Sequence, residues 1–172
     1  MAIIKKINNF LPKIGKNCFL AENSVLLGDI TLQENCTIWF NAVLRGDVNY
    51  IRIGHSVNIQ DNVVVHGTYK KHPTIIGNNV SIGHGAIIHG CKISDNVLVG
   101  MGSIIMDGSV IGGNTIIGAG TVIPKNKKIP SNSMLAGNPF RILKEHIDST
   151  EIKIIKQTAG NYIKYAKWYK SS

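Results

Sequence analysis

Three of the six histidines, His66, His84 and His89, fall within residues 59–90. The stretch reads Ile-Gln-Asp-Asn-Val-Val-Val-His-Gly at one end and Ile-Gly-His-Gly-Ala-Ile-Ile-His-Gly at the other. A neutral imidazole can give its lone pair to a metal ion or take a proton from a substrate. Three histidine ligands with a fourth position left open form the donor set of a catalytic zinc site rather than a structural one. The competing reading is three histidines that simply fill outward turn positions. The elements that carry them decide whether they meet.

Those elements are set by a repeat. Aliphatic residues recur every sixth position at Ile14, Leu20, Leu26, Leu32, Ile38 and Leu44. The series resumes at Ile53, Ile59 and Val65, again at Ile76, Ile82 and Ile88, and then from Ile93 to Leu135. A small or β-branched residue follows most of them four positions later, as at Ala42, Val63, Ala86 and Ser103. Six residues make one short strand and one turn, and glycine and asparagine tolerate the positive φ that such turns need. Three units close a coil of about eighteen residues, and stacked coils place equivalent residues at the interstrand spacing of about 4.8 Å. The predicted fold is an all-β solenoid with a C-terminal helix. Cys18 and Cys36 are eighteen apart and are expected to stack inside it as thiols. Three interruptions break the period. They mark loops: about three extra residues near 47–50 and five within 67–73, with one residue missing between Ile88 and Ile93.

The register then places the chemistry. His66 follows Val65 and His89 follows Ile88, one coil apart, with Arg45 one coil below. The predicted column is Arg45, His66, His89. Asp61 and His84 form a second column on another face, with Gln60 beside them. Two imidazoles one coil apart can share a zinc ion, since Zn–N distances of about 2.0–2.1 Å put the nitrogens a little over 3 Å apart. His84 could join them from a neighbouring solenoid if three chains packed around a threefold axis. His55, His72 and His146 lack such company and read as surface residues.

Beyond Arg141 the segment Asp148-Ser-Thr-Glu151 can cap a helix. Ile152, Ile155, Ala159, Tyr162, Ile163, Ala166 and Tyr169 then recur at spacings of three and four. The chain therefore divides into a solenoid over 1–143 and a helix over 144–172. Its net charge of +9 comes largely from lysines near the two ends, and aromatics are only 6% of residues. That favours a solvated basic surface and a small-molecule substrate over nucleic acid. No apolar run suggests a signal peptide or a membrane span. Three cysteines without a CxxC pair fit a reducing cytoplasm.

At the level of motifs, Leu44-Arg-Gly-Asp47, Asn58-Ile-Gln-Asp61, Val65-His-Gly67, Gly83-His-Gly85, Ile88-His-Gly90 and Ala136-Gly-Asn-Pro139 resemble the γ-class carbonic anhydrase family. The closer likeness is to its short bacterial branch of YrdA-, PaaY- and CaiE-like hexapeptide-repeat proteins. The resemblance implies a left-handed parallel β-helix and a homotrimer with metal sites at the subunit interfaces. It implies His66 and His89 from one subunit and His84 from the next as ligands. The usual metal is Zn2+, with Fe2+ or Co2+ also suited to imidazole. It further implies that Gln60 bonds the activated water, that Arg45 pairs with Asp47 or Asp61 across the interface, and that Tyr162 leans over the metal. Arg45 and Asp61 also read as trimer contacts alone, and Tyr162 as helix packing. The implied reaction is attack of an activated hydroxide on carbon dioxide to give bicarbonate. One departure bears on rate. Residues 67–73 contain no acid, and Val48 stands where the family carries a glutamate for proton transfer. Alternatives are a metal-dependent acyl-CoA thioesterase, a hexapeptide-repeat acetyltransferase or a non-catalytic scaffold.

Overall fold

The computed structural model describes residues 1–170. The hexapeptides stack as a left-handed parallel β-helix of about seven turns, followed by one helix. One face runs through Val43–Ile53, Val64–His66, Ile87–His89, Ile104–Ile105 and Val122–Ile123. A second runs from the far end of Val43–Ile53 through Thr74–Ile76, Lys92–Ile93, Val110–Ile111 and Lys128–Ile129. The third stacks Phe19–Leu20, Thr37–Ile38, Asn58–Ile59, Ser81–Ile82, Val97–Val99, Thr115–Ile117 and Met134–Gly137, and Phe140–Lys144 closes it antiparallel.

The six-residue aliphatic series is the core. From Leu26 to Leu135 each member is buried, and Ile14 and Leu20 pack against the rest from the first coil. Each fully buried aliphatic contributes about 1.5–3 kcal/mol relative to exposure. The small residues four positions on are buried too, and Ser103 and Ser109 donate to carbonyls of the next coil, at Gly118 and Pro124. Cys36 is buried and its thiol donates to the Gly54 carbonyl at 3.0 Å. Cys18, in the first coil, is only half-buried and packs against the edge of the same core.

Glycines serve two different needs. One corner repeats a positive φ at Asn41, Asn62, Gly85, Gly102 and Gly120, as expected for the turns. The glycines directly after the aliphatic residues do not. At Gly100 a Cβ would come within 2.4 Å of the Ala119 amide nitrogen. Close coil stacking, not turn geometry, requires glycine there.

The extra residues near 47–50 were expected as a loop, but Val43–Ile53 is one continuous strand. Opposite Val25–Leu32, Gly28 faces Gly46 and Ile30 faces Ile51, so a two-residue step meets a five-residue step. The three surplus residues form a bulge. Ile51 returns to the core, and Arg52 bonds Asp29 at 2.7 Å while stacking over Tyr50, which holds the strand on either side. Residues 67–73 do leave the solenoid, as a small turn bridged between Thr68 and His72.

The helix Ser149–Lys170 starts with a reciprocal cap. The Asp148 carboxylate accepts from the amides of Thr150 and Glu151, and Glu151 accepts from the Asp148 amide. It lies on the third face, against Thr37–Ile38, Asn58–Ile59 and Ser81–Ile82. Ile155, Ala159 and Ala166 are buried there, and Trp39 meets Tyr162 edge-on at 5.5 Å. No helix among the described residues is long and apolar enough to cross a membrane.

Candidate metal centre

His66 and His89 end adjacent strands of the first face and pair in register, with Arg45 in the next position of the same column. Their rings approach so that His66 Nδ1 lies 3.2 Å from His89 Nε2. Each remaining ring nitrogen meets a carboxylate. His66 Nε2 is 3.1 Å from Asp47 Oδ1, and His89 Nδ1 is 3.0 Å from Asp107 Oδ1. An ionised carboxylate only accepts hydrogen bonds, so each neutral ring gives its one N–H outward to its aspartate. The two nitrogens that face each other then both carry lone pairs. Such an arrangement is repulsive until something positive occupies the space between them. The 3.2 Å separation matches the nitrogen spacing of two imidazoles on one zinc ion.

Local electrostatics favour a neutral His66 beside ionised Asp47 and Asp107. Burial pushes the His66 pKa down, and the Arg45 charge adds to that against the pull of Asp47. Burial alone would raise Asp47, but hydrogen bonds from Arg45 and His66 hold it below the ordinary carboxylate range. Asp107 behaves in the same way: burial opposes ionisation, and Thr68 and His89 overcome it. The Arg45 guanidinium pairs with Asp47 at 2.6 Å, within its own chain.

His84 stands apart, in the corner turn between the third face and the first. Asp61 lies one coil below, and its Oδ2 is 2.8 Å from His84 Nδ1, while its Oδ1 accepts from the Phe40 amide. This bond takes up Nδ1 and leaves Nε2 for another partner, on a side chain 45% exposed. Among the described residues no three His, Cys, Asp or Glu side chains of one chain are placed to hold a metal. One chain therefore brings together two of the three histidines.

Gln60 is buried and donates to Asn58, which donates to Ser81. Tyr162 joins Trp39, Phe40, Asp61, His84 and the aromatic residues of the last helical turns around a cavity of about 230 Å3. Burial, then the Asp61 charge, raises the Tyr162 pKa. His55 and His146 are exposed, as expected. His72 is not a plain surface residue: it is half-buried, with its side chain against Gly90 and Gly108.

Sequence reasoning missed Asp107, Thr68 and the aromatic wall. The column count stopped at His89. The coil above it is seventeen residues long, so Ile88 faces Ile105 and Asp107 comes opposite Gly90 rather than His89. The missing residue between Ile88 and Ile93 was the signal for that offset.

The chain matches the family described as Bacterial transferase hexapeptide (six repeats) over residues 12–46 and 90–125. A protein of Methanocaldococcus jannaschii named "Probable carbonic anhydrase" is 53% identical over 92% of this chain and 98% of its own length. Protein YrdA of Escherichia coli is 38% identical over 97% of this chain and 94% of its own. A crystal structure from Bacillus cereus with a provisional acetyltransferase designation superposes with a TM-score of 0.95, at 36% identity, over 99% of this chain and 98% of that one.

Proposed function

Because this chain belongs to the γ-carbonic anhydrase-like family of hexapeptide-repeat proteins, we propose that it is a metal-dependent carbon dioxide hydratase assembled as a homotrimer. The observation that carries the reading is the pair of facing ring nitrogens on His66 and His89, 3.2 Å apart, with an aspartate against the other nitrogen of each ring. His66 and His89 of one subunit and His84 of the next would hold the ion. A bound Zn2+, or Fe2+ or Co2+ in its place, supplies Lewis-acid activation of water at neutral pH.

The remaining roles belong to side chains of this chain. Asp47 and Asp107 each face one ring nitrogen and so turn the other nitrogen of each imidazole inward. Arg45 keeps Asp47 ionised, and Asp61 does for His84 what the other aspartates do for their rings. The Gln60 amide, fixed through Asn58 and Ser81, would orient the reacting water, and Tyr162 and Trp39 would wall the substrate side against bulk solvent. Hydration also releases a proton. The turn at 67–73 presents Tyr69, Lys70 and Lys71 to solvent and no carboxylate. Proton release should then depend on buffer, and turnover should be slow.

The trimer is supported by an outward apolar column on the first face. Val64 and Ile87 are each 39% exposed, and Val43, Ile104 and Val122 lie in the same stack. One observation favours a second reading for the same centre. The aromatic cavity beside His84 has room for an acyl group as well as for carbon dioxide, which suits a small thioester.

The test is protein purified without chelators. Metal analysis is expected to give close to one transition-metal ion per chain, and His84→Ala to lose most of it. Stopped-flow hydration should be measurable, should rise with imidazole buffer, and should vanish in His84→Ala. Parent protein free of transition metal after loading with Zn2+ or Co2+ would overturn the proposal.

A further inference from the structure

We infer that Asp107 is a positioning residue for the metal centre, setting the tautomer of His89 and hence the direction of its lone pair. This rests on the metal reading of His66 and His89. Asp107 belongs to the coil above the histidine pair, and its side chain is only 11% exposed. Its Oδ1 lies 3.0 Å from His89 Nδ1 and accepts a hydrogen bond from the Thr68 hydroxyl. Its Oδ2 faces Lys125 Nζ at 3.7 Å. An imidazole, a hydroxyl and an ammonium from three separate coils thus converge on one carboxylate.

Access to His89 depends on what Gly90 lacks. A Cβ at Gly90 would sit 2.5 Å from Asp107 Oδ1, on the path by which the carboxylate reaches the ring. The seventeen-residue coil brings Asp107 opposite that glycine instead of opposite His89 itself, where it would fill the position the ring needs. The shortened coil and the glycine together give His89 the counterpart of what Asp47 gives His66. Without Asp107 the His66 Nδ1 lone pair, 3.2 Å away, would draw the His89 proton onto Nε2, where it points straight at His66. Carboxylates placed behind ligating histidines are worth about 10–100-fold in metal affinity.

The experiment compares parent, Asp107→Asn and Thr68→Val as full chains. In metal-free parent, long-range 1H–15N spectra of the histidine rings should show His89 protonated on Nδ1. Asp107→Asn should lose that fixed state. Competition with a chromophoric chelator should show Zn2+ bound about 10–100-fold more weakly by Asp107→Asn, with a smaller loss in Thr68→Val, while thermal stability of the metal-free proteins stays close to parent. A parent His89 protonated on Nε2, or an unchanged tautomer in Asp107→Asn, would overturn the inference, as would parent-like affinity in that variant. A parent that binds no Zn2+ removes the metal reading instead and leaves the tautomer result to decide the role of Asp107.

Discussion

At the scale of single residues, a histidine pair becomes a metal site only when both rings turn a lone pair to the same point. Here that is decided by Asp47 and Asp107, two carboxylates reached from opposite sides of the pair. Asp107 has a second effect on its surroundings. Cys91, two positions past His89, is buried, and burial together with the Asp107 charge pushes its thiol up to about 12. Thiolate is the reactive form, so Cys91 should be inert in the folded protein. Iodoacetamide at pH 8 is expected to leave Cys91 and Cys36 unmodified in native protein and to label both in guanidinium, read by peptide mass spectrometry. Labelled Cys91 in the native sample would contradict its place in the core. The histidines were legible in the sequence because the period puts them in columns, and Asp47 through the motif that resembles the γ-class family. Asp107 was not, because its partner lies one residue out of register.

Elements of two residues leave little room for propensity, so coil stacking carries the fold. The regular spacing of Ile, Leu and Val made the solenoid plain from sequence, and the buried ladder follows it closely. Two details escaped that logic. Whether surplus residues become a loop or a bulge depends on what flanks them, and the buried Ile51 with the Arg52–Asp29 pair makes 47–50 a bulge. The glycines also look alike in sequence but answer to different forces. Gly100→Ala should cost about 1–3 kcal/mol, because the new methyl meets backbone of the adjoining coil. Gly102→Asn should be nearly neutral, since a Cβ there meets nothing within 4 Å and Asn41 and Asn62 hold the same conformation in the same corner. Urea unfolding of the two variants checks the contrast, and equal losses would refute it.

For the whole molecule, activity turns on how many chains make one centre. A single chain places His84 on a corner, bonded to Asp61, and His66 with His89 on a different face. The described residues of one chain do not unite them, so the proposed activity belongs to an assembly. Ile87→Asp puts a charge in the middle of the apolar column on the first face. It should sediment as a monomer and bind little metal although His66, His84 and His89 are intact, whereas the parent should sediment as three chains. A fully metallated monomer would show that the site does not need a neighbour. Sequence could suggest this division, since the column count already set His84 apart, but the surfaces that would meet are outward-facing and leave no periodic trace of their partner.

Both tryptophans of the chain, Trp39 and Trp168, line the aromatic cavity beside His84. Selective excitation of indole therefore illuminates one place only. Emission from this protein is a built-in optical reporter of the cavity, with no background from elsewhere in the fold. A paramagnetic ion such as Co2+ near His84, or a guest stacked between the rings, would register as quenching or a spectral shift in unlabelled protein, and occupancy of the centre can be followed in real time by light alone.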